Sequence, residues 1–326
     1  YKDGAFFRQN TTGTLTLPRR ELRATMKLQS ETETQRNILK GEMNMLFQTE
    51  SGQTVGPIGQ GTWYLGEDPD RFDAECSALR AGVEAGMNLI DTAEMYGDGA
   101  AEELVGRAIQ GLDRDKLFLV SKVYPFNAGR GDIRVSCEDS LMRMKTDHLD
   151  LYLLHWRGSV PLAETVECME ELKEDGLIRA WGVSNLDTDD MQELFAQPDG
   201  THCAANQVLY NVGSRGIEYD LLPLMRQHQI PVMAYCPLAQ AGRLRRGLLN
   251  HPALRQIAGE HHATVPQILL AFLLAQPGVL PIPRTGSAQH AQQNAAAAEI
   301  RLSAEELALL DAAFPKPKRK TRLEIV

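Results

Sequence analysis

Eight times between residues 58 and 283 a short apolar run closed by turn or helix signals recurs, at 58–61, 89–91, 117–122, 149–155, 180–184, 205–208, 231–235 and 279–283. Between these runs the hydrophobic period becomes helical, most clearly over 74–85, 101–110, 162–173, 189–196, 265–274 and 288–297. Within 162–173, Val166, Met169 and Leu172 separate from Glu164 and Lys173, which marks a half-buried helix. Strands that alternate with helices imply βα units and a parallel sheet. No Gly/Ser-rich linker divides residues 45–315. Eight such units over roughly 270 residues match a closed (β/α)8 TIM barrel of the α/β class, whose usual length is ~250. An open doubly wound sheet is the alternative, but the first strand lacks the Gly-x-Gly-x-x-Gly of its dinucleotide-binding form.

Ser51-Gly52 marks the turn of an N-terminal hairpin ahead of the first strand. Ser303, followed three residues later by Glu306, forms a capping-box signal for an extra C-terminal helix that ends near Phe314-Pro315. Residues 1–42 are polar and irregular, with Thr11, Thr12, Thr14 and Thr16 close together, and are expected to form a poorly ordered arm. The ordered domain is expected to begin near Met43 and Met45 and to run over 43–314. The tail, 315–326, carries Lys316, Lys318, Arg319, Lys320 and Arg322 and reads as a solvated basic end.

Composition removes several classes of function. With 34 basic against 43 acidic residues, the net charge of −9 leaves no cationic excess for a nucleic acid backbone. No apolar run approaches the ~20 residues of a membrane span, and the N-terminus lacks a signal-peptide pattern. A soluble, cytoplasmic monomer acting on a small molecule is the expectation. The cysteines at 76, 137, 168, 203 and 236 are dispersed, without Cys-x-x-Cys, so neither a disulfide framework nor a metal site is expected. His261 and His262 lie ~100° apart on a helix and read as surface or capping residues.

In a barrel of this kind, polar residues at the C-terminal ends of strands project into the mouth. Asp91 closes 89–91 and Tyr96 follows five residues later; Lys122 ends 117–122 and His155 ends 149–155. Alone, a strand-end Asp reads as a helix cap, and a His after Leu-Leu as a satisfied core residue. Together they read differently. A strand-end Lys among apolar residues needs a partner, which the carboxylate of the preceding strand supplies. A Tyr beside that cation is expected to have its pKa drawn down from about 10, which suits it to proton transfer.

The same residues carry a resemblance. Asp91-Thr92-Ala93-x-x-Tyr96-Gly97 with Glu102-x-x-Val105-Gly106 resembles the first signature of the aldo-keto reductases. Val120-Ser121-Lys122, Leu153-Leu154-His155-Trp156, Trp181-Gly182-Val183-Ser184-Asn185, Asn206-Gln207, Ala234-Tyr235-Cys236-Pro237-Leu238 and Ile282-Pro283-Arg284-Thr285 follow in that family's order. The tract 60–242 looks most like small bacterial members that reduce methylglyoxal and other aldehydes with NADPH.

The resemblance implies reduction of a carbonyl to an alcohol by a tetrad. Tyr96 would donate the proton, Lys122 and Asp91 would tune it, and His155 would orient the carbonyl, with no call for a metal. It further implies that Ser184, Asn185 and Gln207 hold the nicotinamide amide, that Tyr235 stacks on the ring, and that Pro237 and Leu238 adjoin the cofactor. For the phosphate end it implies Arg284, Thr285, His290, Gln293 and Asn294. Here the chain departs from the family, with Arg284 for Lys, His290 for a second Arg and Gln293 for Glu. NADPH remains the expected cofactor, with a weaker preference over NADH. Trp63, Tyr124 and Trp156 are expected to line the substrate pocket, and the short tail to leave it open. Cys236 beside Tyr235 would place an oxidisable thiol near the cofactor, although most such cysteines are inert. Two other readings compete: a cofactor-binding, redox-sensing regulatory subunit on the same barrel, and a Schiff-base isomerase or aldolase using Lys122. The second leaves Tyr235 and Arg284-Thr285 without a role.

Overall fold

The computed structural model describes residues 8–9, 15–16, 47, 48, 50–239 and 243–326. The chain divides into two units, 1–44 and 45–326. In the first, Arg8–Gln9 pairs antiparallel with Leu15–Thr16; the rest of the expected arm lies outside the described residues.

The second unit is an eight-stranded parallel sheet in which each strand pairs with its neighbours in chain order. The strands are β1 (Gln60–Gly61), β2 (Leu89–Asp91), β3 (Phe118–Val123), β4 (Leu149–Leu154), β5 (Ile178–Ser184), β6 (Asn206–Leu209), β7 (Val232–Tyr235) and β8 (Val279–Pro281). The sheet closes on itself: Gly61 pairs in parallel with Arg284 just beyond β8. Gly59 N–H and Gly61 N–H donate to the carbonyls of Pro281 and Pro283 at 3.0 and 3.1 Å. β3 and β4 are buried along their whole length, which is why they read as continuous apolar runs.

Inside the barrel Leu89, Phe118, Val120, Leu151, Leu153, Met233 and Leu280 pack together. The expected hairpin is present as a Gln48–Thr54 bridge with Val55 N–H donating to Phe47 at 2.9 Å. It plugs the end where the strands begin, with the Phe47 ring stacked 4.8 Å from that of Phe118. The opposite end, where the strands finish, carries the cavity described below.

The helices are α1 (Phe72–Glu84), α2 (Ala100–Ala108), α3 (Ile133–Met144), α4 (Leu162–Glu174), α5 (Thr188–Phe195), α6 (Leu221–Gln227), α7 (Arg243–Leu249), α8 (Pro252–Glu260), α9 (Val265–Leu274), α10 (Ala288–Ala296) and α11 (Ala304–Ala313). The capping box opening α11 forms through Ser303 and Glu306 as the spacing predicts. The helical period alone does not reveal α3, α6, α7 and α8. In α3 the inward face includes Ser136 and Ser140 and Asp132 makes no side-chain cap bond, while α6 is short and contains Pro223. His261 caps α8 and pairs with Glu306 at 2.7 Å. No helix among the described residues is long and apolar enough to cross a membrane.

Candidate active site

A cavity of about 350 Å³ opens at the C-terminal ends of the strands. Asp91 is the last residue of β2, Lys122 the next to last of β3, and His155 follows β4 directly. Tyr96 reaches the same space because the chain turns sharply after it. Gly97, Asp98 and Gly99 all have positive φ (58°, 50° and 96°), which glycine adopts freely and which brings the chain round into α2.

Lys122 Nζ donates to Asp91 Oδ2 at 2.9 Å, to the Thr92 carbonyl at 2.8 Å and to Tyr96 Oη at 3.1 Å. An ammonium has three protons, so all are committed. Tyr96 Oη therefore accepts from Lys122, and its own proton is free to point into the cavity. Burial raises the Asp91 carboxyl and lowers the Lys122 ammonium, and the attraction between them opposes both shifts.

One expectation about this group fails. Tyr96 is pushed well above its ordinary value by burial, with Asp91 and Cys236 acting in the same direction. The charge of Lys122 is matched by Asp91, so its pull on a phenolate is outweighed by the loss of water around it. Tyr96 thus holds its proton until a stronger base, such as a forming alkoxide, draws it away. The His155 ring meets that of Tyr96 edge-on at 5.7 Å. Burial, with Lys122 adding repulsion, lowers its pKa to about 2, so the imidazole is neutral. Its Nδ1 is buried without a partner among the described residues.

On the far wall Gln207 Nε2 donates to Asp91 Oδ1 at 2.7 Å, a link across 116 residues of sequence. Ser184 Oγ donates to the Gln207 carbonyl at 2.9 Å, and Tyr235 Oη donates to Asn185 Oδ1 at 2.8 Å. Asn185 Nδ2 reaches the His155 carbonyl at 3.1 Å. These bonds tie the ends of β4, β5, β6 and β7 to the Asp91–Lys122 pair. Pro237, Leu238 and Arg284 also line the cavity, as does Cys236, whose thiol burial raises.

Trp63 and Trp156 form part of the wall, but Tyr124 does not. Its ring stands behind Trp156, edge-on at 6.0 Å, and stacks on Phe126. The tail also differs from expectation. Lys320 lies 3.0 Å from Asp220, 3.5 Å from Asp187 and 3.9 Å from Asp189, and Ile325 and Val326 line the cavity. The tail is docked, and it narrows the pocket where an open one is expected from its shortness. Its carboxylate partners come from distant segments, so no local signal reveals them.

Of the residues expected at a phosphate, Arg284 has no carboxylate partner among the described residues and stands over the Tyr64 ring, 5.8 Å from its centroid. Thr285 Oγ1 accepts from Ser287 N–H at 3.1 Å, and Ser287 caps α10 at His290. His290 is exposed, Asn294 is buried, and the Gln293 carbonyl accepts from Gln267. None of these four forms the cavity wall; they follow Arg284 along the loop and α10.

The profile of the Aldo/keto reductase family matches residues 57–314. The chain is 56% identical over 281 residues to methylglyoxal reductase YeaE of Escherichia coli, covering 86% of this chain and 99% of that protein. Glyoxal reductase of Bacillus subtilis is 34% identical over 237 residues, covering 72% of this chain and 82% of that protein. A crystal structure of an aldo/keto reductase from Klebsiella pneumoniae, in complex with NADP and acetate, superposes with a TM-score of 0.83 at 58% identity. It covers 85% of this chain and 98% of that one. The chain belongs to the aldo/keto reductase family of oxidoreductases.

Proposed function

We propose that this protein reduces small aldehydes and α-dicarbonyls, methylglyoxal among them, to alcohols with NADPH. The observation that carries the reading is the complete donor set of Lys122, which leaves the hydroxyl proton of Tyr96 free to point into the cavity. The residues present fit a nicotinamide dinucleotide. Tyr235 offers a flat face, Gln207 keeps its Oε1 and one N–H for a carboxamide, and Arg284 is a cation without a carboxylate partner among the described residues. When bound, the cofactor supplies the hydride. Tyr96 then gives its proton to the carbonyl oxygen as negative charge develops there, and Lys122 stabilises the phenolate left behind. His155, neutral at working pH, contributes a hydrogen bond without charge and orients the carbonyl. Trp63 and Trp156, with Ile325 and Val326, exclude water and bound the substrate's size.

The test is oxidation of NADPH and of NADH with methylglyoxal by the wild type and by Tyr96→Phe, once both are shown to be folded. NADPH turnover that falls by at least a hundredfold in the variant, the scale of a lost general acid, supports the reading. Tight binding of cofactor without turnover across an aldehyde panel would replace it with a cofactor-sensing role.

A further inference from the structure

We infer that Arg71, on the turn that opens α1, is a second cation for the 2′-phosphate of NADP(H), beside Arg284. The inference rests on the NADPH reading above and concerns a residue outside the segment that follows β8. His290 stands where the family's pattern leads one to expect an arginine, which leaves Arg284 as the only permanent charge on that loop. The fold brings another to it. A Cβ built on Gly286 would lie 3.1 Å from Arg71 Nη2, and 3.0 and 3.3 Å from Glu75 Cγ and Oε1. The Arg71–Glu75 pair is therefore packed against the backbone two residues beyond Arg284, and the absence of a side chain at 286 makes that approach possible.

Glu75 is a tether rather than a competitor for the site. It is buried at 1% exposure, with Oε2 accepting from Gly66 N–H at 2.8 Å and Oε1 3.2 Å from Arg71 Nη2. Both oxygens are committed. The Arg71 side chain remains 56% exposed, and Glu75 is the one carboxylate paired with it among the described residues, which leaves N–H donors for a further anion. A guanidinium held in place at one edge and free at the other suits bidentate capture of a phosphate. Arg284, which among the described residues has no carboxylate partner and stands over the Tyr64 ring, is the second fork. A phosphate monoester near neutral pH carries between one and two charges, and two guanidiniums, one from the loop after β8 and one from the start of α1, balance it.

The test is the dissociation constant of NADP+ and of NAD+, by isothermal titration, for the wild type, Arg71→Ala, Arg71→Lys and Arg284→Ala. Loss of one charged hydrogen-bonding partner predicts about tenfold weaker NADP+ binding in Arg71→Ala. NAD+, which lacks the 2′-phosphate, is expected to bind within twofold of wild type, and Arg71→Lys to recover part of the loss. Unchanged NADP+ affinity in Arg71→Ala, or equal weakening of both dinucleotides, would overturn the inference. The second result would place Arg71 at the pyrophosphate or in a structural role. If Arg284→Ala loses the preference for NADP+ and Arg71→Ala keeps it, the inference fails while the NADPH reading stands. If the wild type binds the two dinucleotides alike, both fail together.

Discussion

His155 lies 4.8 Å from the Trp156 ring and edge-on to Tyr96, in surroundings that hold its pKa down to about 2. A histidine in an unfolded chain titrates near 6.5. Between those values the unfolded chain binds a proton that the folded protein refuses, so stability rises with pH across the interval. The contribution of His155 is whole above pH ~6.5 and is lost progressively as the pH falls below it. The limiting slope is ~1.4 kcal/mol per pH unit for one proton. Urea unfolding of the wild type and of His155→Gln between pH 7.5 and 4.5 checks this. The wild type is expected to lose stability relative to the variant by about that slope at the acid end. Parallel curves would mean that the folded protein accepts the proton on His155. The same residue adds no limb to the pH–rate profile between pH 5 and 8, because its charge does not change there.

At the scale of elements, the C-terminal segment is the clearest case of structure set by distant partners. Lys320 bridges Asp187 and Asp189, at the start of α5, and Asp220, which caps α6. Further back, Lys316 reaches Glu218 and Asp311, and Arg215 donates to the Phe314 carbonyl at 2.6 Å. These anchors precede Ile325 and Val326, which stand in the cavity wall. A partly exposed charge cluster is worth little in global stability, on the order of 1 kcal/mol. Its effect is local, since it decides how often the wall is in place. Lys320→Ala is therefore expected to leave the unfolding midpoint nearly unchanged and to raise KM for small aldehydes about threefold to tenfold, with a smaller change in kcat. Limited proteolysis should also cut within 316–326 faster than in the wild type. Unchanged KM and proteolysis would show that the lysine does not hold the tail. Composition alone cannot reveal this docking, because a run of basic residues looks the same whether it meets water or three aspartates.

For the whole molecule, the decisive event is closure of the barrel, and its parts were unequally legible in the sequence. β3 and β4 announce themselves because they are buried on both faces and so are apolar throughout. The first strand, read from 58–61, carries the weakest signal of the eight, since Gly59 and Gly61 serve the β1–β8 seam by having no side chain rather than by favouring strand. Asp91, Tyr96, Lys122 and His155 could be read together from their places at strand ends. Lowering of the Tyr96 pKa by Lys122 could not be judged, because it depends on how completely burial commits the lysine to Asp91. The Gln207–Asp91 bond and the approach of Arg71 to Gly286 join segments whose spacing along the chain carries no signal.

Gly182 shows how the fold and the site depend on the same packing. A Cβ built there would lie 2.6 Å from the Ala205 carbonyl oxygen, 2.9 Å from Leu153 Cδ2 and 3.1 Å from Ala205 N. Those Ala205 atoms are backbone, and the oxygen accepts the ladder bond from Val183 N–H at 2.9 Å. A methyl group can be accommodated only by spreading β5 from β6. Two residues further along, the same pair of strands sets Ser184 opposite Gln207. Gly182→Ala is thus expected to cost about 1–3 kcal/mol. For a domain of this size that is a fall in Tm of roughly 2–12 °C. It is also expected to weaken NADP+ and NAD+ binding in equal proportion, since the proposed reading sets the nicotinamide against Ser184 and Gln207 and the 2′-phosphate elsewhere. Calorimetry and titration on the same sample separate the two effects. A lower Tm with unchanged affinity would show that the strand ends hold the cofactor pocket independently of the barrel's middle layer.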